Sequence, residues 1–263
     1  MKHTKVFIFS AFALVSAVVL RTIQLIFFTD SVTGFYKEGF ETLGTTFMAI
    51  LVIVIAVSSL LVFLFDKKQV SAKPSSSKLL GCAALFAGIA NLFEPFLNEV
   101  SLSAVPLALL GLRFILILAS AGVLCSFGIA ILFGKKIRTS ISIVFVITWV
   151  VRLMSSFINF TGMSNISENL YDVLMLISTL VFFLFFGKAI CKVTNSATNR
   201  KLIASGIAAV LFTAVSSIPC LIAYIASDFE FVHIPIDSPV TGLFMAFFIS
   251  VYLVDICKNN AEN

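Results

Sequence analysis

Apolar residues in this chain come in long unbroken runs separated by short polar clusters. The runs cover roughly residues 6–28, 43–65, 79–98, 104–134, 139–161, 170–187, 202–226 and 239–257, and each approaches or exceeds the ~20 residues that an α-helix needs to cross a bilayer core. Membrane barrels are written differently, in shorter segments of alternating polarity. These runs are continuous and rich in Leu, Ile, Phe and Ala, so backbone pairing within each helix is the simpler solution. The pattern predicts an all-α, polytopic membrane protein with about eight transmembrane helices. No link between runs exceeds about 15 residues, so residues 1–263 read as a single integral membrane domain.

Composition strengthens this reading. Of the 263 residues, 60% are hydrophobic and only 12% are charged, whereas soluble domains carry about 25% charged residues. The first residues, MKHTKVFIFSAFALVSAVVL, have the cationic start and apolar core of a signal peptide, but RTIQLIFF prolongs the apolar run past any cleavage point. The segment is therefore read as the first span.

The net charge of +5 is unevenly placed. Lys2 and Lys5 precede the first span, and Lys67, Lys68, Lys73 and Lys78 lie between the second and third. Lys135, Lys136 and Arg138 follow the fourth, Lys188, Lys192, Arg200 and Lys201 link the sixth to the seventh, and Lys258 follows the eighth. The opposite loops hold only Lys37, while most acids fall on that side. Cations near span ends mark the cytoplasmic face, so the expectation is a multi-pass protein of the cell membrane with both termini cytoplasmic. A basic inner surface of this kind reflects topology and contact with the lipid bilayer, and it implies no nucleic-acid partner.

Charged residues in and beside the apolar runs recur in a suggestive way. Arg21 in RTIQLIFFTD resembles Arg152 in RLMSSFINFTG, and each is followed 20 positions later by an acid, Glu41 or Asp172. KLLGCAALFAGIANLFEP, from Lys78 to Pro95, parallels KLIASGIAAVLFTAVSSIP, from Lys201 to Pro219. Two parallel four-helix halves, 1–134 and 135–263, are the repeat this predicts.

Depth gives the charges physical meaning. With about 1.5 Å of rise per residue, Arg152 lies roughly 3 Å and Arg21 roughly 6 Å from the middle of its span, on the acid-rich side. Glu94, Arg113 and Asp172 come out roughly 8–10 Å from the middle on the same side. A charge near the bilayer centre costs about 2.5–3.5 kcal/mol on insertion scales, so each needs a partner or a route to the interface. Arg152 is too central for an easy escape, which predicts pairing with Asp172 or with Glu94. Thr148, Arg152, Ser155 and Asn159 follow helical spacing along one face; Arg21 and Gln24 share another, as do Asn91 and Glu94.

If these stripes converge, they form a site for a small anionic or zwitterionic ligand or a lipid headgroup, serving transport or sensing. Arg21, Arg113 and Arg152 would hold the anion, Glu94 and Asp172 would orient the arginines or exchange protons, and Gln24, Asn91, Ser155 and Asn159 would supply hydrogen bonds. The alternative is a non-catalytic assembly or accessory subunit, bound to a membrane protein partner, whose buried charges only lock helices together. A lipid-modifying enzyme ranks third, because no nucleophile, base or metal constellation is visible.

Other motifs carry less. GIAILFGKKIRTS has one residue too many between its glycines for a phosphate loop and lacks a Ser or Thr after Lys135. The loop SDFEFVHIPIDSP groups Asp228, Glu230, His233 and Asp237, a weak cation-binding pattern with one histidine. The five cysteines lack metal-ligand spacing and read as packing residues. Asn159 and Asn165 stand in N-x-S/T patterns that matter only in a glycosylating host. Pro95 and Pro219 are expected to end or kink their helices near the acid-rich side. No cofactor is implied.

Overall fold

The computed structural model describes residues 2–30, 33–65, 77–97, 107–135, 139, 141–160, 167–193, 196–226 and 237–262. Among these the helices are α1 (Lys2–Ile23), α2 (Glu41–Phe65), α3 (Lys78–Leu97), α4 (Leu107–Leu132), α5 (Ile141–Phe160), α6 (Ser167–Ile190), α7 (Ser196–Ala226) and α8 (Asp237–Glu262), with a π-helical turn (Gln24–Phe28) continuing α1. Six helical segments are long and apolar enough to cross a membrane: Phe9–Phe28, Glu41–Leu64, Gly111–Leu132, Leu170–Ile190, Ala197–Ala226 and Pro239–Lys258. Ser142–Ile158 in α5 is a shorter apolar helix. The fold is thus all-helical and suited to a bilayer. Its lipid-facing character is visible in exposed side chains such as Phe12, Ile53, Ile115 and Ile225, which acyl chains solvate and water would not.

From α3 to α8 each helix packs on the next, and α3 also packs on α8, closing a ring of six. Helices α1 and α2 pack on one another and both lean on α7. That arrangement makes α7 the most buried span and α2 the least. The tightest seam is α3 on α4. A Cβ added to Gly128 would lie 2.7 Å from the Gly81 carbonyl oxygen, so glycine lets the two backbones touch. Such small-residue contacts are how helices associate where no hydrophobic effect drives them together.

The core of the ring is aromatic. Phe127 of α4, Phe145 of α5, Phe182, Phe183 and Phe186 of α6, and Phe248 and Tyr252 of α8 are all buried. Their rings interlock: Phe145 stacks on Phe183 at 4.7 Å, and Phe186 meets Tyr252 edge-on at 5.0 Å. Edge-to-face and offset contacts of this kind add to the dispersion gained by burial. The cluster sits toward the ring end where α4 and α6 finish and α5 begins. Glu94, Arg113 and Arg152 lie toward the opposite end.

Pro219 does not end its helix. α7 runs on to Ala226 with Pro219 inside it, because neighbouring helices in a bundle can absorb the local break that an isolated helix would not tolerate.

Candidate functional site

Near the end of the ring where α3 and α5 finish, three helices contribute to one charged cluster. Glu94 of α3 is buried, with its side chain 2% exposed. Its Oε2 is in direct contact with Nη2 of Arg152 on α5, and its Oε1 lies 3.8 Å from Nη2 of Arg113 on α4. Arg152 also donates from Nη1 to Oδ1 of Asn91 at 3.4 Å. Asn91 is oriented for this by its own Nδ2, which donates to the Ala87 carbonyl one turn earlier at 2.8 Å. The Arg152 guanidinium carbon stands 4.7 Å above the Trp149 ring. Trp149 and Arg152 are three residues apart on α5, the spacing at which helical side chains meet, and the ring face attracts the cation. One turn earlier, Thr148 donates 2.8 Å to its own helix at Val144 and lies 3.2 Å from the Leu116 carbonyl of α4, tying α5 to the helix that carries Arg113.

The physical consequence is a carboxylate shared by two guanidinium groups. Burial removes the water that would otherwise solvate these ions, so each depends on the others and on fixed dipoles. Arg152 is held from three directions by a carboxylate, a carboxamide and an indole. Arg113, at 17% exposure, approaches Glu94 from the more open side.

A second cluster forms where α1 gives way to the π-helical turn. Arg21 is 1% exposed; its Nη1 donates to Oε1 of Gln24 at 2.7 Å, and its guanidinium carbon lies 4.1 Å above the Tyr171 ring of α6. The Tyr171 hydroxyl reaches the same Gln24 oxygen at 3.4 Å. The other end of the carboxamide is fixed too, with Nε2 donating to the Tyr36 hydroxyl at 2.7 Å and to the Gly44 carbonyl at 2.8 Å.

Local chain geometry delivers these partners. After the π-helical turn, Thr29 forms an isolated bridge with Tyr36. Between them the chain reverses with Gly34 at φ 75°, a left-handed conformation that glycine adopts without a Cβ clash. Tyr36 is thereby folded back toward Gln24. Gly44 matters for its size, because a Cβ there would come within 2.5 Å of the Tyr36 ring.

The remaining sequence candidates are distributed differently. Of the two partners the sequence offered Arg152, the structure places Glu94 against it, and Asp172 accepts a 2.7 Å hydrogen bond from the Ser216 hydroxyl of α7. Ser155 is fully buried and donates to the Val151 carbonyl of its own helix at 2.8 Å. Glu41, twenty residues after Arg21, is exposed. The side chains of Asn159 and Asp237, along with Asn165, Asp228, Glu230 and His233, lie outside the described residues. Among the described residues no group of three or more His, Cys, Asp or Glu side chains could hold a metal ion.

Sequence reasoning passed over Trp149, Tyr171, Tyr36 and Asp255. The first was findable from its three-residue spacing to Arg152. Tyr171 precedes Asp172 and was overshadowed by it. Tyr36 owes its place to a turn that periodicity does not describe. Asp255 of α8 is buried within the Pro239–Lys258 span, and its position in that apolar run was the available signal.

Comparison with known proteins finds no matching family model, no matching curated protein and no matching solved structure.

Proposed function

We propose that the chain is a multi-pass protein of the cell membrane, crossing eight times with both termini cytoplasmic, that binds a small anionic or zwitterionic solute or a lipid headgroup for transport or sensing. The carrying observation is the Arg152–Glu94–Arg113 cluster, in which three helices of the ring place two guanidinium groups on one buried carboxylate. Intramembrane ionisable groups are expensive to insert and are characteristic of ligand and ion pathways. Guanidinium groups are also the side chains best shaped to take a carboxylate or phosphate. No catalytic turnover is part of this reading. Two related halves, 1–134 and 135–263, are supported by the like treatment of Arg21 and Arg152, each hydrogen-bonded to a carboxamide and stacked on an aromatic ring.

The test is thermal protection of the purified protein by a panel of small carboxylates, phosphate, amino acids and anionic lipids. At least one class should raise the melting temperature of the wild type and not that of a folded Arg152→Gln variant. Equal protection of both proteins would remove Arg152 from the site.

The second reading, an assembly or accessory subunit with structural charges, draws on the Arg21 cluster. Gln24 there uses both ends of its carboxamide on protein groups from three other segments, as a helix clamp would. Stable co-purification with another membrane protein, with no retained small anion by native mass spectrometry, would favour it.

A further inference from the structure

The position of Glu94 says more than that it is paired. Its carboxylate is placed as an incoming anion would be, with one oxygen on Arg152 and the other facing Arg113. We infer that Glu94 is a built-in occupant of the anion site, that a ligand carboxylate enters by displacing it, and that the displaced group takes up one proton as it leaves. This rests on the anion-binding reading above and deepens it into proton-coupled binding of a small carboxylate.

The displaced carboxylate, rather than the net charge, calls for the proton. Before entry the three side chains hold two positive charges and one negative. A monoanion that took its place would bring the cluster to neutrality, but the displaced Glu94 carboxylate would lose both guanidinium partners among largely buried side chains. Isolated carboxylates are strongly disfavoured in such surroundings, and neutralisation is the ordinary escape. One proton moved from bulk water to the Glu94 carboxyl restores the original net charge, and no other bond changes.

Among the described side chains, the charged groups that meet Glu94 are both cations. Arg113 faces it from α4 and Arg152 from α5. α8, which also packs on α3, meets it through Phe244 against Phe86. Of the α8 ionisable residues whose side chains are described, Tyr252, Asp255, Cys257 and Lys258 fall in the second half of that helix, away from Phe244, while the side chain of Asp237 in its first turn lies outside the described residues. On α3 itself, Lys78 and Cys82 stand at the opposite end from Glu94. Asn91 and Trp149 are neutral and hold Arg152 in place as the anion is exchanged.

The experiment uses the full-length protein in nanodiscs, titrated near neutral pH with propionate (the free counterpart of the glutamate side chain) and with lactate, succinate, glycine and inorganic phosphate. Calorimetry in buffers of different ionisation enthalpy counts the protons exchanged. Wild-type protein should take up one proton per bound monocarboxylate, and apparent affinity should tighten about tenfold for each unit of falling pH, as linkage of one proton to one ligand requires. Glu94→Gln, whose carboxamide imitates the protonated acid, should bind without proton uptake and with little pH dependence. Carboxylate binding to the wild type with no proton uptake would overturn the coupling and leave the anion site standing. Glycine bound without uptake, its ammonium meeting Glu94, would do the same. Failure of every probe at every pH would remove the anion site and the coupling together. Should Glu94→Gln not fold, the wild-type proton count still decides.

Discussion

Arg21 and Arg152 are both buried, both hydrogen-bonded to a carboxamide and both stacked on an aromatic ring, yet their surroundings do different work. Arg21 sits in a cradle drawn from four segments: Gln24 at the π-helical turn, Tyr36 in the following loop, Gly44 on α2 and Tyr171 on α6. Each contact fixes another, and Gln24 cannot turn without losing several at once. Arg152 is held by a carboxylate that it shares with Arg113, and the second of those contacts is loose at 3.8 Å. The first cluster interlocks protein groups around one carboxamide. In the function proposed above, the second contains an element that an outside anion replaces. Burial of an arginine alone says little about function, and the proposal turns on whether a partner is exchangeable.

The largest effect should come from Arg152→Met. Removing Arg152 leaves Glu94 with its 3.8 Å contact to Arg113, and breaking a buried pair in this way costs about 3–5 kcal/mol. Combining it with Glu94→Leu should recover part of that loss, because replacing a buried pair by apolar side chains is often neutral or better, while Arg113, 17% exposed, loses its Glu94 contact. Chemical or thermal unfolding in detergent measures both. If the double variant were as unstable as the single one, Glu94 would not be the group that Arg152 neutralises.

Arg21→Met ranks next, at about 3 kcal/mol, from a lost charged hydrogen bond and a desolvated cation–π contact. The comparison makes a sharper demand of this variant. It should lower stability without altering anion protection or proton uptake at the Glu94 cluster. Loss of anion binding in a folded Arg21→Met protein would merge the two clusters into one site and break the distinction drawn between them.

How much of this was readable beforehand varies with the length scale of the physics. The helices were legible because lipid imposes a simple rule, a long apolar run, and the observed α2, α3 and α5 ends fall within a few residues of those runs. Asn91 and Glu94 on one face, and Thr148, Arg152 and Ser155 on another, were legible from helical spacing. The choice of Glu94 over Asp172 for Arg152 was not, because it depends on which helices become neighbours in the ring. Nor was the Tyr36–Gln24 contact, which needs a π-helical turn and a reversal at Gly34 that neither period encodes. Pro219 was read by its local preference, and packing of α7 among its neighbours overrode that preference.

A smaller effect should follow Gly44→Ala. The added methyl would sit against the Tyr36 ring, forcing the tyrosine off Gln24 at an overpacking cost of about 1–2 kcal/mol. Because the Arg21 cradle is interlocked, the same variant should loosen the Gln24–Arg21 bond, seen as faster proteolysis or hydrogen exchange in the 29–44 segment. A Gly44→Ala protein with unchanged stability and exchange would show that the cradle adapts, weakening its description as a clamp.

The smallest change is expected from Ser155→Ala. Ser155 lies on the Arg152 face of α5 and was grouped with the site on that ground, yet its hydroxyl is turned back onto the Val151 carbonyl of its own helix. A hydroxyl spent on the preceding turn adds little to stability, and even hydrogen bonds between membrane helices average only about 0.6 kcal/mol. The variant should therefore unfold within about 0.6 kcal/mol of the wild type and keep its anion protection and proton count. If anion binding fell tenfold instead, the serine must leave Val151 when the ligand enters. The exchangeable part of the cluster would then extend one turn along α5 beyond Arg152, and the contrast with the fixed Arg21 cradle would grow rather than shrink.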